Sequence, residues 1–112
     1  MTLNEEKNGK VLVLGLSGKV DVAGTKVLGE RLTEVINAGE RYILLDFSGV
    51  NYINSSGLCA LIVAGKRLAR TGGVLALAEV NDQIQKVLKI SGLASFFTVH
   101  RTRALALGAF PQ

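Results

Sequence analysis

The stretch that decides the fold is LLDFSGVNYINSSGLCALI, Leu44 to Ile62. Its apolar start, carried on from Tyr42 and Ile43 and running to Phe47, reads as a buried strand. Ser48-Gly49 then reads as a turn, Val50 to Ile53 as a short extended piece, and Ser55 to Arg70 as a helix stopped by Thr71-Gly72-Gly73. Asn54 or Ser55 is the natural N-cap, because a side-chain oxygen there accepts from the free backbone N–H groups of the first turn. Ser56 falls in that turn. It is expected at the surface, since Asn54 and Gly57 flank it and core-facing residues resume only at Leu58. Gly57, lacking a side chain, is expected to leave the Ser56 hydroxyl open to a close-approaching partner.

The helix itself carries two kinds of apolar position. Leu58, Leu61, Ile62, Gly65 and Leu68 make a core stripe, yet Cys59, Ala60, Val63 and Ala64 are small or apolar as well. A helix apolar nearly all round is covered on both sides. Its outer face, with Leu58, Cys59, Ala60 and Val63 at its head, therefore either lies beneath the terminal helix or receives a partner.

Outward from this junction, strands alternate with helices. Val11 to Ser17 alternates and follows Asn8-Gly9, a hairpin turn signal, so it pairs with a short N-terminal strand. Leu28, Leu32, Val35 and Ile36 put an apolar stripe on a helix over Val22 to Ala38, ended by Gly39. Downstream, VLALAEV (74–80) is another buried strand, Asn81 or Asp82 caps a helix carrying Ile84, Val87 and Leu88 that ends at Ser91-Gly92, FFTV (96–99) is a last short strand, and TRALALGAF (102–110) a terminal helix. This order predicts one α/β domain over residues 1–112, its central strands joined by right-handed crossovers.

Composition narrows the function. With 112 residues and 48% hydrophobic content the chain buries a real core. Its one cysteine, Cys59, forms no internal disulfide, and the polar start TLNEEKNGK is no secretory leader, which together predict a cytoplasmic protein. The longest apolar run, CALIVAG, is far short of the roughly 20 residues a membrane span needs. The net charge of +4 gathers in the C-terminal half, where Lys66, Arg67, Arg70, Lys86, Lys89, Arg101 and Arg103 face only Glu79 and Asp82. No aromatic residue is interleaved with these bases, so direct nucleic-acid binding is not expected; Lys66, Arg67 and Arg70 suit a helix C-terminus.

Catalysis is not expected either. Ser56, His100 and Asp46 or Asp21 supply the residue types of a hydrolytic triad, but there is no Gly-x-Ser-x-Gly elbow and no spacing that brings His100 to Ser56. Cys59 has no redox partner, GKVDVAGTK (18–26) lacks phosphate-loop spacing, and no metal-ligand cluster or cofactor motif is visible.

Three segments carry a family likeness: GLSGKVD at 15–21, LLDFSGVNYINSSGLCALI at 44–62 and LAEVNDQIQKVLKISGL at 77–93, in that order and spacing. With these the chain resembles the STAS domain family, and within it the bacterial anti-sigma factor antagonists, over essentially its whole length. The resemblance implies a mixed central β-sheet with packed α-helices and a regulatory serine at the start of the second helix. That serine is Ser56, with Ser55 second, surrounded by Asp21, Asn54 and Gly57. In such proteins the anti-sigma factor, itself a serine kinase, phosphorylates the antagonist; the unphosphorylated form binds that kinase and frees the sigma factor, and a serine phosphatase resets the cycle. Asn54 departs from the family's usual Asp. An acidic residue there helps engage the kinase, whereas its absence removes a charge that would repel a phosphate. The alternative is a STAS scaffold or accessory subunit of a transport or stress-sensing complex, in which Ser55 and Ser56 merely cap a helix. Oligomeric state is open.

Overall fold

A computed structural model describes residues 1–93 and 97–111. These form β1 (Thr2–Asn8), β2 (Val11–Val20), α1 (Val22–Asn37), β3 (Tyr42–Ile53), α2 (Ser55–Arg70), β4 (Val74–Ala78), α3 (Asp82–Ile90), β5 (Thr98–His100) and α4 (Arg103–Ala109). The strands lie side by side in chain order as one five-stranded sheet. β1 pairs antiparallel with β2 across a tight loop in which Gly9 takes φ +60°, while β2, β3, β4 and β5 run parallel. Of the FFTV segment, the strand includes only Thr98 and Val99 and extends to His100; Phe96 lies outside the described residues.

The continuous apolar runs of β2 and β3 follow from burial on both faces. Alternate residues point opposite ways, so Leu12, Leu14, Leu16, Ile43, Leu45 and Phe47 meet the large core formed with α1, α2 and α3. Val11, Val13, Leu44, Ala76 and Ala78 face the other side, where Ala106 and Phe110 of the short C-terminal helix region cover them. Phe110 meets Tyr42 edge to face, with ring centroids 6.0 Å apart.

One polar cluster anchors α4. Asp46 is the only buried charged residue among those described, at 5% exposure. Its Oδ2 accepts from Arg103 Nε at 2.8 Å and its Oδ1 from the Ser48 backbone N–H at 2.8 Å. Arg103 also donates to Glu6 at 2.6 Å, and its backbone N–H to Glu79 Oε2 at 2.9 Å. Glu79, which makes that contact, sits in the left-handed region at φ +59°. Burial alone would raise the Asp46 pKa; the Ser48 donors and the Arg103 guanidinium outweigh it and hold the carboxyl below its ordinary value.

Two expectations need correction here. Ser48-Gly49 is not a turn: β3 runs unbroken from Tyr42 to Ile53, and β2 extends with it to Val20. The extra residues are taken up as bulges, with Leu16 facing both Phe47 and Ser48, and Lys19 facing both Asn51 and Tyr52. Gly49 is required there, since a Cβ would lie 2.7 Å from the Leu16 carbonyl oxygen. The terminal helix, moreover, does not cover α2. It packs on the opposite sheet face, and α2 has α1 as its helical neighbour.

Candidate functional site

The bulged ends of β2 and β3 deliver α1 and α2 side by side. Val20 pairs with Ile53, and the Asn54 backbone N–H donates to the Val20 carbonyl at 3.0 Å, so both helices start from one strand end. Each start has the same construction. Asp21 Oδ1 accepts from the Gly24 N–H at 2.9 Å, and Asn54 Oδ1 accepts from the Gly57 N–H at 3.0 Å. Asn54, not Ser55, is the N-cap of α2. Neither helix has an acidic residue in its first turn, so two dipole N-termini meet here with the Asp21 carboxylate as their nearest capping charge.

Both glycines are sites of close approach. A Cβ on Gly24 would lie 2.2 Å from the Lys19 carbonyl oxygen, and one on Gly57 would lie 2.7 Å from Val20 Cγ1 and 2.9 Å from Ile53 Cγ1. Gly57 is buried. Its lack of a side chain lets the first turn of α2 settle onto the strand ends.

Ser56 is exposed. Its hydroxyl donates to Asn54 Oδ1 at 2.7 Å and stands 3.4 Å from Thr25 Oγ1 on α1. Ser55 is exposed too, and its hydroxyl has no hydrogen bond among the described residues. The structure therefore brings Asn54, Ser56 and Thr25 together. Asp21 sits at the same end of the sheet, but its carboxylate is committed to capping α1. Thr25 was missed from the sequence; the repeated Asx-x-x-Gly start, Asp21 to Gly24 and Asn54 to Gly57, signals two matching helix heads but not that Thr25 meets Ser56.

From Ser56 an outward stripe runs along α2. At about 100° per residue, Ser56, Ala60, Val63 and Arg67 fall within a narrow arc. Val63 is 57% exposed, Cys59 is exposed beside it and Ala60 is half-buried. The stripe borders a shallow groove against Gly29, Thr33 and Ile36 of α1. Leu58 does not belong to it: at 8% exposure it is part of the core, as is Ala64 at 4%, because both positions turn toward the sheet. The outward-facing apolar residues of α2 are thus Cys59, Ala60 and Val63.

The triad residues stay apart. Asp46 is held by Arg103 and Ser48 on the sheet face opposite α2. His100 closes β5, separated from β3 by β4. Among the described residues no cluster of metal-ligating side chains forms, and no helix is long and apolar enough to cross a membrane.

This architecture is that of a small α/β domain with an exposed serine at a double helix head. The model of the STAS domain family matches residues 2–106, and the chain belongs to that family. Its relatives include BtrV of Bordetella bronchiseptica, assigned provisionally as an anti-sigma factor antagonist, at 34% identity over 98% of this chain and 95% of that one. The anti-sigma F factor antagonist of Paenibacillus polymyxa is 25% identical over 96% of this chain and 92% of that one. The same fold recurs in the antagonist SpoIIAA of Bacillus, solved unphosphorylated (TM-score 0.81, 20% identity, 95% of this chain and 93% of that one) and phosphorylated (TM-score 0.75, 20% identity, 96% and 97%).

Proposed function

We propose that this chain is an anti-sigma factor antagonist switched by phosphorylation of Ser56. Its partner is an anti-sigma factor that is also a serine kinase, and a serine phosphatase resets it. The names of its relatives support the antagonist role. The observation that carries the switch is the placement of the exposed Ser56 hydroxyl at the head of the Ala60–Val63 stripe, where one modification reaches both a helix terminus and a docking face.

The energetics favour release without unfolding. Phosphoryl transfer exchanges the Ser56 O–H bond for an O–P bond; the proton passes to a base on the kinase and the nucleoside diphosphate leaves. The new group carries about −1.5 to −2 charge at pH 7. Within the free domain it meets N–H donors and the dipole ends of two helices, a favourable effect of roughly 0.3–1 kcal/mol at an exposed site. Asn54 assists: its Oδ1 caps Gly57 while its Nδ2 hydrogens remain to donate to the phosphate. Buried in an interface, the same charge costs several kcal/mol in desolvation. The interface effect is larger, so phosphorylation expels the partner and leaves the fold intact.

The test compares wild type, Ser56→Ala and Ser56→Asp for binding of the cognate anti-sigma factor and for output from its sigma factor. Ser56→Ala is expected to bind constitutively and keep the sigma factor active, and Ser56→Asp to lose the partner with thermal stability unchanged. Equal binding by all three proteins would instead identify an unswitched scaffold.

A further inference from the structure

The positive charge of the chain is not spread evenly once its ion pairs are drawn. Lys7 pairs with Glu40, Arg31 with Glu5 and Glu34, and Arg103 with Glu6 and Asp46. Glu79 is committed to the first backbone N–H of α4. Lys10, Lys19, Lys26, Arg70, Lys86, Lys89 and Arg101, by contrast, have no ion pair or hydrogen bond among the described residues. Two of them converge on one cleft, between α3 and β5, lined by Gln85, Leu88, Lys89, Val99, His100 and Arg101.

Three features of this cleft point the same way. Its floor is apolar, from the buried Leu88 and the half-buried Val99. Its rim carries cations from two separate elements, so attraction of Lys89 to its own helix C-terminus does not account for the pair. Its wall is a sheet edge: among the described residues β5 is the last strand in the order and pairs with β4 alone, which leaves the outer side of Thr98–His100 without a strand partner among them. Gln85, on the α3 side of the cleft, is held by donating to the Val80 carbonyl at the head of its own helix at 3.1 Å.

We propose that this cleft docks an extended acidic segment of a partner protein, which adds to the free edge of β5 and sets its carboxylates against Lys89 and Arg101. A strand added to a sheet edge takes affinity from main-chain hydrogen bonds and selectivity from alternate side chains. A cationic rim selects acidic sequences and speeds their encounter. The surface is independent of Ser56, so the chain holds this partner in either phosphorylation state.

The probe is a short alternating Glu-Thr peptide, titrated into the full-length protein and followed by amide chemical shifts. The expected result is shifts concentrated on Gln85–Lys89 and Val99–Arg101, with binding that weakens as salt is added. Lys89→Glu/Arg101→Glu is expected to weaken binding about tenfold or more, while Lys10→Glu/Lys26→Glu, which keeps the same net charge as that variant, binds like wild type. Both pairs are exposed, and unchanged melting of both variants controls for folding. Shifts scattered over the basic surface, equal losses in the two variants, or a single-stranded oligonucleotide that displaces the peptide from these same amides at lower concentration would each overturn the proposal.

Discussion

Replacing Arg103 with Met tests what closes the second face of the sheet. The substitution keeps the length and the apolar stem but removes the donor to Asp46 Oδ2 and the ion pair with Glu6. Asp46 is then left in its 5%-exposed position with only the Ser48 donors. A fully exposed pair would be worth about 0–1 kcal/mol, and a fully buried one loses about 3–5 kcal/mol when one partner is removed. Here one partner is buried and the other has a side chain 36% exposed. A loss of about 2 kcal/mol at pH 7 follows from that intermediate position. For a domain of this size it lowers Tm by about 8 °C.

The sign of the pH dependence adds a second, independent check. In the native protein the Asp46 pKa lies below its ordinary value of 3.8, so its contribution to stability is complete above that value. It is lost as pH falls through the folded pKa. In Arg103→Met, burial is no longer outweighed by the guanidinium, the Asp46 pKa rises, and protonation relieves a charge that had lost its partner. The stability gap between wild type and variant therefore narrows on acidification. Thermal unfolding of both proteins across pH 7 to below 3.8 measures it. A gap that stays constant with pH, or one under about 0.5 kcal/mol at pH 7, would refute the assignment of Arg103 and Asp46 as the electrostatic anchor of α4.

Three further outcomes follow from the helix heads and their flanks. Gly57→Ala is expected to destabilise by about 1–3 kcal/mol despite the better helix propensity of alanine, and Gly24→Ala by more, because it meets a backbone carbonyl and not movable methyl groups; denaturant melts rank the two. Asn54→Asp is expected to leave the unmodified protein as stable as wild type, since the two caps are equivalent, but to lower the Tm of the Ser56-phosphorylated form by setting a carboxylate against the phosphate. Val63→Asp is expected to hold stability within about 0.5 kcal/mol while weakening anti-sigma factor binding at least tenfold, whereas Leu58→Ala costs about 2–5 kcal/mol of stability because that side chain is in the core; calorimetry and a binding titration separate the two effects.

Much of this molecule is legible in its sequence because its central strands are buried on both faces. That writes them as unbroken apolar runs, while Gly72-Gly73 and Ser91-Gly92 mark where helices stop. What misleads is Ser48-Gly49. Ser48 shares a bulge with Phe47 opposite Leu16, and Gly49 pairs with Ser17, a geometry that exists only against β2; no local signal distinguishes such a bulge from a turn. The position of α4 is hidden for a related reason: Arg103 finds Asp46 across 57 positions of sequence. Ser56 is legible as a first-turn residue from its capping pattern alone. Its neighbour Thr25 is not, because that contact requires α1 and α2 to start from one strand end.

The most direct test of the switch is phosphorylation of the purified protein by its anti-sigma factor in the presence of ATP, with the modified residue mapped by mass spectrometry and the complex followed by size. The expected result is one phosphate, on Ser56, accompanied by dissociation of the anti-sigma factor and an unchanged Tm of the released chain. A complex that survives stoichiometric modification of Ser56, or a phosphate placed on another residue, would contradict it.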